Sequence, residues 1–475
     1  MKGIAMNLRS PRIFCSLTLL AGLGTPPQLM ASPEDTTADV VLGQTTFLVN
    51  LANQGAATAG ATTLNGDRGM TIDPTGRLWI ADNANNRVLM FNNPGSLSNG
   101  AAADLVLGQA NLNGNLANRG NANPAKNTLA GPRSVAVDTA GHVYVADTDN
   151  KRILRYDPPL STGMDAVQVF GQAGDFTTAN QAAANAATAD NLGNPDGVAV
   201  DSAGNLWLAD LFLKRVLRYN TPAAAGGDTT ADIVLGQIDF THADTNQNQA
   251  NPSANTLHNP EGVAVDKNDN LFVADQENNR VLLFKPPFST NMSATKVFGQ
   301  PDFTSASAAT TATGLRTPVQ VAIDPVTGNL YVADSVNERV MEFADAVNGS
   351  TTASRVFGQG GDFTTQVLNK GGLSADSLSD PGGVAVDAAG NLYVGDRNNN
   401  RALRFNAAPA SSGDNGGGGG GGTGDNGTGG DNGGGGSNQT ATCGACGMGA
   451  SSMMPLAVLG LMAQRRRIRR GCLRR

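Results

Sequence analysis

Cysteine is nearly missing from the body of this 475-residue chain. The four are Cys15, Cys443, Cys446 and Cys472, so no disulfide can form between residues 16 and 442. A fold over that span must be stable from its buried core alone, which a domain of roughly 350 residues achieves because it buries most of the surface its unfolded chain exposes. Histidine is almost as scarce: His142, His242 and His258 are the complete set, too few and too dispersed for several imidazoles to converge on one metal. Aromatic residues make up 5% and charged residues 15% of the sequence, and no apolar run approaches the ~20 residues that a membrane-spanning helix needs. What is plentiful is glycine, 60 residues, together with Asn, Thr and Ala. That balance predicts short strands joined by polar turns, an all-β class.

The formal charge of -7 hides an uneven distribution. Residues 34–406 carry 23 basic and 37 acidic side chains, a net of -14, while three basic residues precede residue 13 and seven follow from Arg465 onward. An acidic body repels a phosphate backbone, so no nucleic acid partner is expected despite the Arg-rich end, and cations or basic partners are favoured.

Both ends read as addresses. Lys2, Arg9 and Arg12 precede an apolar run from Ile13 to Gly24, followed by Pro26, Pro27 and the small residue Ala31. This is the order of a signal peptide over residues 1–31 cleaved after Ala31, with Cys15 discarded along with it. Residues 407–442 are dominated by Gly, Asp, Asn and Thr and form a flexible tether that cannot bury apolar surface. Residues 443–475 then bring Cys443-Gly-Ala-Cys446, a short apolar stretch from Met453 to Met462, and the cluster Arg465, Arg466, Arg467, Arg469 and Arg470. Such a tail can enter the inner membrane while its arginines stay cytoplasmic, a transient contact that holds the chain until it is processed. It resembles the C-terminal sorting tags of Gram-negative bacteria, most closely the myxobacterial type with a Cys-Gly element, and the glycine-rich tags cut by rhomboid-like proteases. The resemblance implies processing near Cys443 or Cys446, and an exported protein at the cell surface, on the outer membrane or outside the cell.

Between these ends one unit recurs six times. It is clearest at Pro260-Glu-Gly-Val-Ala-Val-Asp266, Asn270-Leu-Phe-Val-Ala-Asp275, Asn279-Arg-Val-Leu-Leu-Phe284 and Val297-Phe-Gly-Gln300. The first-strand Asp returns at Asp73, Asp138, Asp201, Asp266, Asp324 and Asp387, and four short apolar runs per unit read as a four-stranded antiparallel meander. The pattern from Val40 to Phe405 resembles the NHL-repeat family, which implies a six-bladed β-propeller over residues 32–406. The Gly-Gln signature of the fourth strand first appears at Gln44, ahead of the first blade, and is missing from the last. Val40 to Gln44 is therefore expected to pair with the final blade's third strand near Arg401–Phe405, closing a monomeric ring. Trp79, Tyr144, Trp207, Phe272, Tyr331 and Tyr393 occupy the second strands as stacking residues between blades. First strands use small residues suited to a crowded axis.

Function is sought on the face that carries the long blade-to-blade connections, whose apolar anchors are Phe47, Leu112, Phe176, Phe240, Phe303 and Phe363. Each blade also repeats an Asp and, five residues on, an Arg: Asp82 and Arg87, Asp147 and Arg152, Asp210 and Arg215, Asp275 and Arg280, Asp334 and Arg339, Asp396 and Arg401. These pairs could ring the channel mouth, but identical repetition in every blade favours structural turn pairs. The third blade departs from the pattern with Leu211-Phe212-Leu213-Lys214. The alternatives there are an exposed contact for a partner and packing beneath a neighbouring loop. Enzymes resembling the family hold zinc with several histidines or a divalent cation with channel carboxylates. Here the first strands read as apolar and no ligand set is visible, so no metal or cofactor is expected, although a channel-bound divalent cation such as calcium fits the family. The expectation is a binding or interaction scaffold for a protein, glycan or small molecule, the alternative a propeller hydrolase or lyase with a channel metal.

Overall fold

The computed structural model describes residues 35–225 and 227–407. The signal peptide with Ala31, the tether beyond residue 407 and the tail with Cys443 and Cys446 lie outside the described residues. Six sheets of four antiparallel strands follow one another. Their first strands, Asp67–Ile72, Pro132–Val137, Pro195–Val200, Pro260–Val265, Pro318–Ile323 and Pro381–Val386, touch in succession, and the last touches the first. The result is a six-bladed propeller. Val40–Leu42 lies antiparallel to Arg401–Phe405, with Val41 opposite Leu403, so the ends of the ring meet within one blade.

Each element follows from a local cause. At the end of every first strand an Asp folds the hairpin back onto itself: the Asp266 carboxylate accepts from the amides of Asn268 and Asn270 at 2.8 and 2.9 Å and from the Asn270 side chain at 2.8 Å. The oxygen-rich turns are thus hairpin closures. At the end of each fourth strand stands a glycine at positive φ, as at Gly43 (φ 83°), where a Cβ would approach Leu64 to 2.7 Å. Packing then joins the blades. Trp79 is buried among Val135, Val143 and Leu154 of the second blade, and the second-strand aromatics of the other five blades repeat this against their own neighbours.

The long connections are fastened by the Asp–Arg pairs, all of which are fully buried. Arg280 donates to Asp275 at 2.8 Å, to the Ser253 and Thr256 carbonyls of the preceding connection at 3.0 and 2.9 Å, and to the Phe303 carbonyl of the following one at 2.6 Å. Arg401 makes the same bonds across the closure, reaching the Phe47 carbonyl at 2.6 Å. The pairs do not ring the channel mouth.

Blade three breaks this network. In blades one, two, four and six a connection Asn and a turn Asn bond reciprocally, as Asn246 and Asn278 do at 3.1 and 2.9 Å, and the turn Asn also donates to the Asp. Blade three has Ala182 and Leu213 at these places. Both are buried in one small cluster with Ala187 and Ala243. An apolar pair replaces a polar one, and with the Asn gone Asp210 and Arg215 stand 3.5 Å apart. Leu213→Asn alone buries an amide opposite Ala182 and should cost about 1–3 kcal/mol. Adding Ala182→Asn should recover most of it, read as a coupling above roughly 0.5 kcal/mol in a double-mutant cycle of unfolding free energies; additive losses would show that the two positions do not form one unit.

Candidate functional site

The four residues singled out in the third blade do not form one surface. Leu213 is buried under the connections. Phe212 is 39% exposed, with the Lys214 ammonium 5.6 Å from its ring centre and donating to its carbonyl at 3.0 Å. Leu211 turns toward the axis, where it helps line a cavity of about 550 Å³.

That cavity is the channel mouth on the long-connection face, and its chemistry comes from residues the repeat pattern conceals. The second position of the first strand reads Arg68, Arg133, Asp196, Glu261, Val319 and Gly382 around the six blades. Because first strands stand nearest the axis, these side chains converge there. Arg68 of the first blade meets Glu261 of the fourth, across the axis, at 3.2 Å. Arg133 meets Asp196 at 2.5 Å. Gln276 donates to the second Glu261 oxygen. Neighbouring turns add Arg397, paired with Asp380, and Glu338, which accepts from the Asp380 amide at 2.5 Å. The expectation of wholly apolar first strands is therefore corrected at their entry. The signal was available as the residue after each strand-opening proline, at Arg133, Asp196 and Glu261, but the alternation of the apolar interior masks a position that varies from blade to blade.

The electrostatics of the mouth are finely opposed. Burial, then the Asp196 charge, raises the Glu261 carboxyl to about 8 against the pull of Arg68, Arg133 and Arg397. Burial and Asp396 raise Glu338 to about 7. Burial and the repulsion of Arg68 lower the Arg397 guanidinium to about 10. At the opposite end of the axis a second cavity, about 440 Å³, is walled by Ile72, Val137, Val200, Val265, Ile323 and Val386 and has no comparable charge. The histidines stand apart from both: His142 bonds Asp138 and His242 bonds Asp239, each at 2.7 Å. Among the described residues no three of His, Cys, Asp and Glu gather in an arrangement that could hold a metal ion.

Beside the mouth lies one further departure. Asp67 stands where five blades open with proline, and neither of its fully buried carboxyl oxygens finds a hydrogen-bond partner. The second-strand residue next to it is Gly395, where the other blades have Ala81, Ala146, Ala209, Ala274 and Ala333, and a Cβ there would lie 2.7 Å from the Asp67 carboxyl. The two substitutions fit each other. Burial, then the Asp396 and Asp82 charges, pushes the Asp67 carboxyl well above its usual value. The folded chain therefore holds this proton to higher pH than the unfolded chain does, and the contribution of Asp67 to stability falls as pH rises from about 4 toward the folded value. Asp67→Pro combined with Gly395→Ala should raise the thermal midpoint near neutral pH and flatten its fall above about pH 4; a double variant that melts lower at neutral pH would refute this account.

The family model of the SMP-30/gluconolactonase/LRE-like region matches residues 116–238, and that of the NHL repeat matches residues 257–284 and 378–405. No curated protein matches the chain. Among solved structures, virginiamycin B lyase from Staphylococcus aureus is 12% identical, with 73% of this chain and 97% of the lyase covered and a TM-score of 0.42. An auxiliary nutrient binding protein from Bacteroides thetaiotaomicron is 13% identical, with 76% and 75% covered and a TM-score of 0.45. Neither likeness bears on what this chain binds. The two NHL matches fall on blades four and six, the same strand pattern returns in the other four, and the chain is an NHL-repeat-bearing six-bladed β-propeller.

Proposed function

We propose that the protein is a binding module that captures a small molecule in the axial mouth on its long-connection face. The observation that carries this reading is the placement of Arg68, Arg133, Asp196 and Glu261. Six equivalent positions hold five different residue types; Arg68, Arg133 and Glu261 line a cavity of about 550 Å³, and Asp196 pairs with Arg133 beside it, a volume within the size of ligand sites. The buried Asp–Arg pairs that fasten the connections repeat in every blade, and these positions do not. A ligand, lacking sixfold symmetry, requires different groups on different sides.

The test is a thermal-shift screen of a metabolite library against the full chain. A ligand at a hundred times its dissociation constant stabilises by about 2.7 kcal/mol. Shifts should vanish in Arg133→Ala and persist in Val137→Thr at the opposite mouth. Hits that survive Arg133→Ala and disappear in Val137→Thr would move the site to the apolar end.

The module works outside the cytoplasm in this reading, supported by the basic, apolar and small-residue order of residues 1–31 and by the Cys443, Cys446 and arginine order of the tail. Chain purified from its native host should begin at residue 32 on N-terminal sequencing. A mature chain that retains Lys2 and Arg9 would rule out a cleaved export signal.

A further inference from the structure

The arginines of this molecule fall into two kinds. Those of the repeat are spent: Arg87 is fully buried and donates to Asp82 and to the carbonyls of Gly60, Thr63 and Leu112. Those of the mouth are not. Among the described residues Arg68, Arg133 and Arg397 each make one side-chain hydrogen bond, to Glu261, Asp196 and Asp380 respectively, and their side chains are 20%, 24% and 26% exposed. A guanidinium has five N–H donors in a planar fork, so most of the donors at this cavity are uncommitted to the protein. All three guanidinium charges act on the Glu261 carboxyl.

Glu261 shows what the donors are arranged to receive. Its two oxygens accept from Arg68 on one side and Gln276 on the other, an arrangement in which a carboxylate from the fourth blade lies against a guanidinium from the first. An external carboxylate could occupy the same cradle. We propose that the mouth binds a small carboxylate-bearing anion through Arg68, Arg133 and Arg397, and that this ligand takes the place of the Glu261 carboxyl beside Arg68. The proposal rests on the binding-module reading and names its ligand class.

Proton exchange follows. The groups facing Glu261 are Arg68, Arg133, Arg397, Asp196 and Gln276, with Asp380 and Glu338 behind them at the turns. With its carboxyl raised to about 8, Glu261 is largely neutral at physiological pH and leaves Arg68 without a full counter-charge. A bound anion repels the ionised form, so the complex favours the protonated one. Affinity should decline gently as Glu338 ionises near pH 7 and fall toward about tenfold per pH unit above about pH 8, where Glu261 is the remaining linked proton.

Isothermal titration of the full chain with citrate, inorganic phosphate, glucose and agmatine tests this. Citrate should bind with a dissociation constant below about 1 mM. Arg133→Gln and Arg397→Gln should each weaken it about tenfold or more, the loss of a charge-assisted contact. Glu261→Gln, which retains shape but cannot ionise, should bind at least as tightly as the wild type and lose the decline above about pH 8. Phosphate bound in preference to citrate would overturn the carboxylate assignment. So would binding of glucose or agmatine alone in an Arg133-dependent manner, an outcome that leaves the mouth itself as the binding site. Citrate binding untouched by Arg133→Gln and Arg397→Gln places the ligand elsewhere and overturns the proposal. No binding of any probe, while library hits still require Arg133, overturns the ligand class alone; no Arg133-dependent hit of any kind defeats both readings.

Discussion

The buried guanidinium is the constraint on which the remainder of the fold depends. A connection of some 22 residues between blades carries backbone carbonyls that must find donors wherever it is pressed against the ring. Each repeat Arg serves carbonyls of two successive connections while its charge is met by an Asp of its own blade. Removing such a pair from water costs several kcal/mol per ion, and the cost is offset only when nearly every donor is satisfied. Blade three is informative for this reason: losing one Asn lengthens the Asp210–Arg215 approach, yet the remaining carbonyl bonds from Arg215 to Thr188, Asn191 and Phe240 persist. The carbonyl bonds therefore hold the connections even where the ion pair is weak.

Much of this was legible in the amino-acid sequence because it repeats. The spacing of Asp73, Asp138 and their successors gave the blades, and the displaced Gln44 gave the closing strand found at Val40–Leu42. Repetition also favoured a structural role for the Asp–Arg pairs, whose complete burial the structure adds. The reading fell short where information lies between repeats. Ala182 and Leu213 are separated by 31 positions, so packing beneath a loop could be named as an alternative for Leu211-Phe212-Leu213-Lys214, but not the residue that Leu213 meets there. Asp67 and Gly395 sit at opposite ends of the chain and meet only because the ring closes.

Positions that differ from blade to blade were hardest to see, and the geometry explains why they matter. A residue at one place in a strand is repeated six times around an axis, so the innermost strands bring six copies of that place to a single point. Arg68 and Glu261, 193 positions apart, become neighbours there with no change in backbone. A propeller can therefore keep all its stabilising interactions identical, on the second and third strands and in the connections, while one position per blade is free to vary at the mouth. The separation shows in the arginines: those that repeat have almost no donors left, and those that do not repeat retain most of theirs.

Asp67 sits on the boundary between the two regimes. It belongs to the innermost strand yet faces Gly395 in the seam where the last blade meets the first, and among the described residues it is the one buried carboxyl with neither oxygen partnered. Arg397, one residue beyond the Asp396 that pairs with Arg401, feels the Asp67 charge as well as Glu261 and the mouth arginines. Arg397 thus lies within electrostatic reach of both the mouth and the closing seam. Closure here depends on side-chain packing and on the Val40–Leu42 pairing rather than on any covalent bond, because no cysteine lies between residues 16 and 442.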